Sequence, residues 1–302
     1  DFFSSAGTKE KISLSGHFDA GSIGELLEAD GALSFKFDAL SLYAFSPWID
    51  YPLIIKDGTG SLSINVELEN GKLKKGGSSF SVQNLNANTI NNDKQDLVFN
   101  DISGEFKYKL VNDDINIILD NLFLTTNSKL QFEDSAASIK YNFETNQINK
   151  ATLVIDRFDL GSVKEISNQF LPEEHRANVI INKLSAKGEI DNLKLKWDRT
   201  RDGEEPNLKL KAKFLEIEIN EFESFPGLKN LTGEVNIENE KGIIRSVSRD
   251  VKITKEDVFR APLQLNQFSG SVNWDNQKYS FNDVTVKDDY MEAIFNGTVK
   301  YE

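Results

Sequence analysis

Leu208-Lys209-Leu210-Lys211-Ala212-Lys213-Phe214 is the stretch that decides the fold, because apolar residues and lysines alternate along it. A period of two places successive side chains on opposite faces of a strand, so this stretch predicts one apolar face and one solvated face. After Phe214 the apolar set continues at Leu215, Ile217 and Ile219, one position out of step. Such a slip predicts a β-bulge, which bends the strand.

The same alternation recurs along the whole chain, and it slips again between Phe281 and Val284. About twenty short strands with almost no helix predict an all-β fold with antiparallel pairing. Further examples are Leu33, Phe35 and Phe37; Leu62, Ile64, Val66 and Leu68; Ile115, Ile117 and Leu119; Ile139, Tyr141 and Phe143; Leu193, Leu195 and Trp197.

Only two segments have helical spacing. Ser22 with Glu25, and Ser162 with Glu165, each fit a capping box, in which the serine caps the helix and the glutamate reaches back to the backbone. Apolar residues at helical intervals follow both, so we predict short helices near residues 22–30 and 162–171.

The two helix starts belong to an internal repeat, because residues 18–25 and 158–165 share the pattern Phe-Asp-x-Gly-Ser-x-x-Glu. A Ser/Thr-Gly-Glu step follows each in the same order, at Ser103 and at Thr232. The repeat predicts two β-rich units, 1–150 and 151–302, the second continuous with the first. Related Ser/Thr-Gly steps occur at Ser15-Gly16, Thr59-Gly60 and Ser269-Gly270.

Composition excludes several classes of function. The formal net charge of −13 disfavours nucleic-acid binding, because an acidic surface repels a phosphate backbone. The chain has no cysteine, which excludes disulfides and thiolate metal sites. No apolar run reaches the ~18 residues that span a bilayer. The chain opens at Asp1 without a signal peptide, so we expect a fragment of a larger protein whose targeting segment lies elsewhere.

Residues that could carry catalysis or bind a metal are sparse. His17 and His175 are the only histidines, and solvent-exposed or half-buried structural roles fit them better than a metal or general-base pair. The acidic pairs Asp113-Asp114, Glu204-Glu205 and Asp288-Asp289 are typical of turn tips. Gly58 and Gly60 lack the context of a phosphate loop and predict a turn or strand end. We therefore predict no enzyme activity, no metal and no cofactor.

Two architectures could cover the apolar strand faces. One is a closed sandwich, which would suit a structural or adhesion module with a protein or glycan partner. The other is an elongated, curled antiparallel sheet that leaves an apolar trough, and the tandem repeat favours such a quasi-linear body. An enzyme acting on glycans through paired carboxylates is a third hypothesis, because sequence cannot show how far apart carboxylates lie.

The last half of the chain adds a family resemblance. Residues 225–235, 258–265 and 268–274 carry a pattern of Pro-Gly, Leu-Thr-Gly, Phe, Pro-Leu and Phe-Ser-Gly-x-Val-x-Trp, and residues 188–197 fit the same block. This resembles the repeating core of the YhdP proteins, large AsmA-like envelope proteins of Gram-negative bacteria. The match is clear over roughly residues 150–302 and weaker upstream. Its glycines, prolines and apolar anchors specify a fold and no chemistry.

The resemblance implies a protein tethered to the inner membrane, through an anchor absent from this chain, that extends into the periplasm. Related AsmA and TamB proteins look like bridges that carry phospholipid to the outer membrane along an apolar groove. The implied partners are phospholipid and the remainder of the same polypeptide at both ends. On this reading we predict a lipid groove lined by apolar side chains of the strands: Ile117, Leu119, Leu195, Leu210, Phe214, Ile217, Trp274 and Phe281.

Overall fold

The computed structural model describes residues 11–22, 25, 28–46, 53–89, 92–126, 131–170, 174–199, 206–223 and 226–300. They form fifteen β-strands and three short helices, which confirms the all-β fold. The strands are fewer and longer than predicted, with 9 to 20 residues each. In chain order the elements are β1 Lys11–Asp19, β2 Asp30–Ser41, α1 Leu42–Phe45, β3 Leu53–Glu69, β4 Lys72–Thr89, β5 Asn92–Val111, β6 Asp114–Thr126, β7 Gln131–Asn142, β8 Gln147–Asp159, α2 Leu160–Phe170, α3 Arg176–Leu184, β9 Lys187–Asp198, β10 Asn207–Ile219, β11 Gly227–Glu238, β12 Lys241–Thr254, β13 Leu263–Asp275, β14 Lys278–Lys287 and β15 Glu292–Lys300.

The chain packs as two units, Asp1–Ala151 (unit 1) and Thr152–Glu302 (unit 2), and the boundary falls inside β8. Within each unit the strand order in the sheet follows the chain, so the topology is a simple meander. Every strand pairing whose register is described is antiparallel.

Asparagine begins the tightest hairpin turns. Asn70, Asn112, Asn239 and Asn276 have φ between 51° and 55°, and each opens a two-residue connection between consecutive strands. Positive φ suits these turns because their twist matches that of the flanking strands, and asparagine tolerates it. The turn predicted at Asp113 is confirmed, and Glu204-Glu205 lies outside the described residues.

Residues with positive φ also interrupt most strands near their middle. The register slips predicted after Phe214 and Phe281 are confirmed as bulges, with φ of 50° at Glu216 and 48° at Asp283. Positive φ recurs at adjacent positions of neighbouring strands, near 50–60° at most of them and near 140° at two glycines. We call the resulting row the crease of each unit, because a bulge bends its strand. The crease residues are Ala39, Gly58, Asn84 and Asn121 in unit 1, and Asn192, Glu216, Asn230, Asp250, Gly270 and Asp283 in unit 2.

Gly58 and Gly60 therefore do not form the predicted turn or strand end. Both lie inside β3. Gly58 has a φ of 141°, a backbone angle that residues with a side chain rarely adopt. Thr59 between them pairs with Gln83, next to the crease residue Asn84, so two bends lie side by side. The Gly-x-Gly motif is part of the crease of unit 1.

One of the two predicted helices is confirmed, and its start differs. α2 begins at Leu160 because Asp159 caps it, accepting the Ser162 N–H at 3.1 Å; Ser162 itself is not the cap. In the predicted helix 22–30, residues 23–24 and 26–27 lie outside the described residues. Glu25 there accepts the Gly21 N–H, which is the backward arm of the predicted capping box shifted by one residue.

The other two helices were not predicted. α1 is a single turn capped by Ser41 that packs on β3. α3 begins after His175, whose ring accepts the Ala177 N–H, and it packs on α2 through a buried polar contact. In that contact Ser167 donates to Asn178 Oδ1 at 3.0 Å, and the amide of Asn182 donates to the same oxygen at 2.9 Å. No described helix is long and apolar enough to cross a membrane.

Most of the buried apolar side chains lie close to the creases. In unit 1 five of them form one cluster, against which Leu42 of α1 packs: Ile55, Leu85, Ala87, Leu97 and Phe99. In unit 2 they are Ala212, Phe214, Val251, Leu265 and Val284. Away from these places the apolar strand faces are only partly buried.

Candidate functional site

The strand register places apolar side chains together on one face of each unit. Residues paired across antiparallel strands point to the same side of the sheet, and β6 illustrates this, because Ile117 pairs with Tyr108 on one side and Ile139 on the other. We call this face the apolar wall. In unit 1 its strand-centre positions are Leu33, Phe35, Phe37, Leu62, Ile64, Val66, Phe80, Val82, Ile102, Phe106, Tyr108, Leu110, Ile115, Ile117 and Leu119, with Gly60, Gly76, Ser78 and Gly104 between them.

The apolar wall of unit 2 is built in the same way. Leu210 pairs with Leu195 and with Ile237, and Val272 pairs with Ile244 and with Phe281. Its members are Ile190, Leu195, Trp197, Leu208, Leu210, Ala212, Phe214, Ile217, Ile219, Leu228, Leu231, Val235, Ile237, Ile244, Val251, Ile253, Leu265, Phe268, Val272, Trp274, Phe281, Val284 and Val286, with Gly233, Gly242, Ser246, Ser248 and Gly270 between them.

The walls stay partly open to solvent. Most of their large side chains are neither buried nor fully exposed, and some, such as Ile139 at 38 %, remain well exposed. Among the described elements, the main contacts join consecutive strands, α1 to β3, and α2 to α3 and β9. Within each unit the described strands belong to one sheet, so no second sheet of described strands covers either wall. A contiguous exposed apolar face on a folded chain marks a place where a ligand or partner binds.

All eight side chains predicted to line a groove lie on these walls. Unit 1 contributes Ile117 and Leu119, which are neighbours on β6. Unit 2 contributes the other six, of which Phe214 is the most buried, at 8 % exposure. These six are distributed over four strands, as Leu195, Leu210, Phe214, Ile217, Trp274 and Phe281.

Glycines let aromatic rings lie flat on the walls. Gly242 faces Trp274 across β12 and β13, and a methyl group on Gly242 would overlap the indole ring. Phe80 covers Gly104 in the same manner, because a Cβ on that glycine would meet the ring at 3.0 Å. Covering a strand glycine with an aromatic ring stabilises the sheet. Both glycines therefore leave room for a ring close to the sheet.

Side chains on adjacent strands satisfy the N–H groups that the creases release. Ala39 donates to the Ser61 hydroxyl at 3.1 Å, and Glu216 donates to the Thr232 hydroxyl at 3.0 Å. Asp283 donates to the Asn296 amide oxygen at 2.8 Å. A bulge leaves one residue out of the ladder, so each of these contacts repairs one lost hydrogen bond. The two residues of the Thr232-Gly233 step therefore act differently. The Thr232 hydroxyl accepts the Glu216 N–H, and Gly233 leaves room for the Phe214 ring.

Charged residues belong to the face opposite the walls. In unit 1 Lys107 lies between Glu105 and Asp120, and these two carboxylates raise the pKa of its ammonium group. In unit 2 Lys211 stands directly opposite Lys194, on the face that the wall does not occupy. On the wall itself, burial raises the pKa of the Tyr108 hydroxyl, which further favours the neutral form that tyrosine already has at pH 7.

The two histidines have separate structural positions among the described residues. His17 is exposed beside Asp19, and His175 caps α3. No group of three or more His, Asp or Glu side chains in the described part of the chain could hold a metal ion. Asp288 accepts the N–H groups of Tyr290 and Met291, as a turn residue does, which confirms the turn predicted there.

Sequence reasoning missed the glycines and serines that shape the walls. Gly233, Gly242 and Gly270 sit beneath or beside large side chains, and Ser246 is only 4 % exposed. The repeated Ser/Thr-Gly steps were the available signal. They could not identify the ring that covers each glycine, because that depends on the register of the adjacent strand.

Comparison with known proteins agrees with this architecture. The family model described as YhdP protein matches residues 3–302, nearly the whole chain. No curated protein and no solved structure matches it. The match extends the resemblance seen in the second half of the sequence to the first half as well. The chain belongs to the YhdP family, AsmA-like proteins of the bacterial envelope.

Proposed function

We propose that this chain is a periplasmic segment of an AsmA-like bridge that shields phospholipid acyl chains and helps to move lipid between the inner and outer membranes. The observation that supports this is the pair of partly exposed apolar walls, each backed by a charged face. Burial of one methylene group contributes ~0.8 kcal/mol, so a wall that accepts a long acyl chain provides ample driving force.

The residue composition of the walls suits the movement of an acyl chain along them. The wall positions at the strand centres of both units carry apolar residues, glycine or serine, with Tyr108 as a neutral polar exception. Such a surface offers similar free energy to a hydrocarbon chain at successive positions, so no deep trap holds the lipid. The phospholipid headgroup stays in water, where its charge is solvated.

No chemistry in this segment is required, so the proposed role is non-catalytic. Membership of an envelope family supports a periplasmic location and a tether to the inner membrane outside the residues present here. The remainder of the polypeptide would continue the path at both ends. A closed structural or adhesive sandwich fits less well, because no second sheet of described strands covers the walls.

A matched pair of substitutions on β6 tests the proposal. Ile117 lies on the wall of unit 1, whereas its neighbour Ile118 pairs with Lys107 on the opposite face and is 40 % exposed. The protein is incubated with a 16-carbon fatty acid that carries a diazirine at its methyl end, irradiated, and digested, and labelled peptides are quantified by mass spectrometry.

Ile117→Asp should lower labelling of the peptide Asp114–Thr126 at least about tenfold. A carboxylate facing hydrocarbon costs several kcal/mol, and ~1.4 kcal/mol corresponds to tenfold in affinity. Ile118→Asp should leave labelling unchanged. Labelling confined to the lysine-bearing faces, or equal loss in both variants, would rule the proposal out.

A further inference from the structure

The wall of unit 1 is covered at one place by a segment of the same chain. β2 ends at Ser41, just past the crease residue Ala39, whereas β3 and β4 extend well beyond the crease. The chain leaves the sheet there as α1, which packs on β3. Leu42 of α1 packs against five buried apolar side chains, which we call the covered patch. They are Ile55, Leu85, Ala87, Leu97 and Phe99.

The covered patch is a continuation of the apolar wall past the crease. Ala87 pairs with Ile55 on one side and with Leu97 on the other, so these side chains point to the same side of the sheet. The wall residues Val82 and Ile102 pack against the patch. Because Ala87 and Leu97 are fully buried, an acyl chain cannot reach this part of the wall in the structure.

Two glycines of β3 form the seat in which Leu42 lies. A β-carbon on Gly60 would be 2.8 Å from Leu42 Cδ2, and a β-carbon on Gly58 would be 3.4 Å from Leu42 Cδ1. Glycine at these positions therefore lets the leucine lie against the strand. Gly60 pairs with the wall residue Val82, so Leu42 is on the wall side of β3. The Gly-x-Gly motif thus accommodates a side chain of the same chain on the wall.

The helix that carries Leu42 is weakly held. α1 is a single turn, and the Ser41 hydroxyl that caps it accepts the Ala44 N–H at 3.4 Å. One helical turn is unfavourable by itself, because several backbone angles are fixed for each hydrogen bond gained. Tyr43 is 62 % exposed. Of the described α1 side chains, Leu42 is the one that packs against the covered patch. Release of Leu42 would therefore release the turn.

The wall of unit 2 is open at the comparable place. An apolar depression beside the crease residue Gly270 is lined by side chains that include Leu228, Ile253, Phe268 and Val284. Among the described elements of this unit, α2 and α3 make their main contacts with each other and with β9, and not with β11 to β14. The two walls therefore differ in access, because α1 occupies one of them.

We propose that α1 is a displaceable plug, in which Leu42 occupies the seat formed by Gly58 and Gly60 and keeps lipid from the covered patch. An acyl chain of a phospholipid reaches the patch only when Leu42 leaves the seat. The acyl chain then replaces the apolar contacts of leucine with contacts of the same kind, so burial is largely conserved. This inference rests on the proposed function, since it describes how access to one part of the unit 1 wall is regulated.

Substitutions at two neighbouring α1 residues test the plug. Leu42→Ser empties the seat, whereas Tyr43→Ser changes the exposed neighbour. Each variant is irradiated with the 16-carbon diazirine fatty acid, and labelled peptides that contain Leu85 or Phe99 are quantified by mass spectrometry. Leu42→Ser should raise their labelling on the order of tenfold, because burial of a leucine side chain no longer competes with the acyl chain. Tyr43→Ser should leave the labelling unchanged.

A disulfide gives a reversible version of the same test. The chain has no cysteine, so Leu42→Cys combined with Gly60→Cys introduces a single pair. Leu42 Cγ is 3.5 Å from the β-carbon position of residue 60, which is within reach of a disulfide. Labelling of the covered patch should be low while the disulfide holds α1 in place and should rise when the disulfide is reduced. Neither single-cysteine variant should respond to the reductant.

Labelling of β6 distinguishes this inference from the proposed function. Increased labelling of the covered patch in Leu42→Ser and on reduction of the disulfide supports the plug. Unchanged labelling of the patch in both experiments, with β6 labelled, overturns the plug while the acyl-chain function stands. Absence of labelling on both walls, in the native protein and in the opened variants, overturns both.

Discussion

At the scale of single residues, the walls depend on glycines as much as on apolar side chains. Gly242 permits Trp274 to lie against β12, and Gly104 permits the same for Phe80. A β-carbon at either position would push the ring away from the sheet. A displaced ring both weakens packing and raises an obstacle on a surface that an acyl chain is proposed to follow.

Gly242→Ala should therefore destabilise unit 2 by roughly 1–3 kcal/mol, which is the usual cost of overpacking. Thermal unfolding followed by circular dichroism measures this, and a red shift in tryptophan emission would report the displaced indole. Gly297→Ala is the control, because nothing lies within 4 Å of a β-carbon built there. An alanine at Gly297 should be neutral or slightly stabilising. Equal stability of the two variants would contradict the role given to Gly242.

That these residues share one face could be predicted from sequence, because alternation fixes which positions of a strand point to the same side. Ile117 and Leu119, or Leu210 and Phe214, lie an even number of positions apart within an unbroken stretch of strand. The rings that cover glycines could not be predicted, since Trp274 and Gly242 are distant in sequence and meet only through the register of β12 with β13.

At the scale of the elements, the creases determine how each strand bends. Asn121, Asn192 and Asn230 adopt φ of 50° to 60°, a conformation that costs most residues 1–2 kcal/mol and asparagine less. Sequence revealed only the bulges at Glu216 and Asp283, where the apolar pattern itself slips. The bulge at Asn121 shifts the alternation from Leu119 to Leu122 and Leu124, but Ile118 and Phe123 on the opposite face obscure that shift in the sequence.

Asn192→Val should lower the free energy of unfolding by about 1–2 kcal/mol, because a β-branched residue strongly disfavours positive φ. Asn192→Gly should be neutral. The matched control is Asn236→Val in β11, where the backbone is extended and valine is favoured. Urea unfolding distinguishes these outcomes, and a neutral Asn192→Val would show that the crease does not need the left-handed conformation at that position.

Helices illustrate a different limit of sequence reasoning. α3 contains Val179-Ile180-Ile181, a β-branched run that is typical of a strand. This segment is nevertheless helical, because the His175 cap and the buried Ser167–Asn178 hydrogen bond stabilise the helix. The predicted start of α2 is too late in the chain because Asp159, three residues before the predicted serine cap, accepts the Ser162 N–H.

Loops at one end of unit 2 are joined by an ion pair that depends on pH. Lys255 follows β12 and Glu221 follows β10, and the Lys255 Nζ lies 2.7 Å from Glu221 Oε1. The second carboxylate oxygen of Glu221 accepts the Glu256 N–H at 3.0 Å. These hydrogen bonds hold the pKa of Glu221 below its ordinary value, chiefly through Lys255. The contribution to stability is therefore complete above the unfolded carboxyl pKa of ~4.3 and is lost as the pH falls through the lower folded value.

The melting temperature should accordingly fall as the pH decreases below about 4.3. Glu221→Gln should be less stable than the native protein at pH 7 and should lose less stability on acidification, so the two curves converge. Circular dichroism melts between neutral and acidic pH measure both. Parallel curves with a constant offset would mean that another group is responsible for the acid sensitivity.

At the scale of the whole chain, net charge bears on the proposed transfer of lipid. The formal net charge of −13 repels an anionic surface, whereas the apolar walls are proposed to attract the hydrocarbon within it. Under the proposed function, the apolar walls favour contact with lipid, and electrostatic repulsion by the net negative charge opposes it. The opposing term is long-ranged and screened by salt, whereas the attraction is short-ranged and insensitive to it.

Uptake of a fluorescent acyl probe from anionic vesicles should therefore be slower than its uptake from zwitterionic vesicles at low ionic strength, by roughly tenfold. The difference should shrink as salt is raised from about 0.01 M to 0.15 M, because the Debye length falls from about 30 Å to about 8 Å. Stopped-flow transfer of a fluorescent acyl probe measures both rates, and the zwitterionic vesicles control for any effect of salt on the protein itself. Faster uptake from anionic vesicles at low salt would show that a local basic surface, such as the lysines Lys194 and Lys211 opposite the wall of unit 2, overrides the net charge at the point of contact.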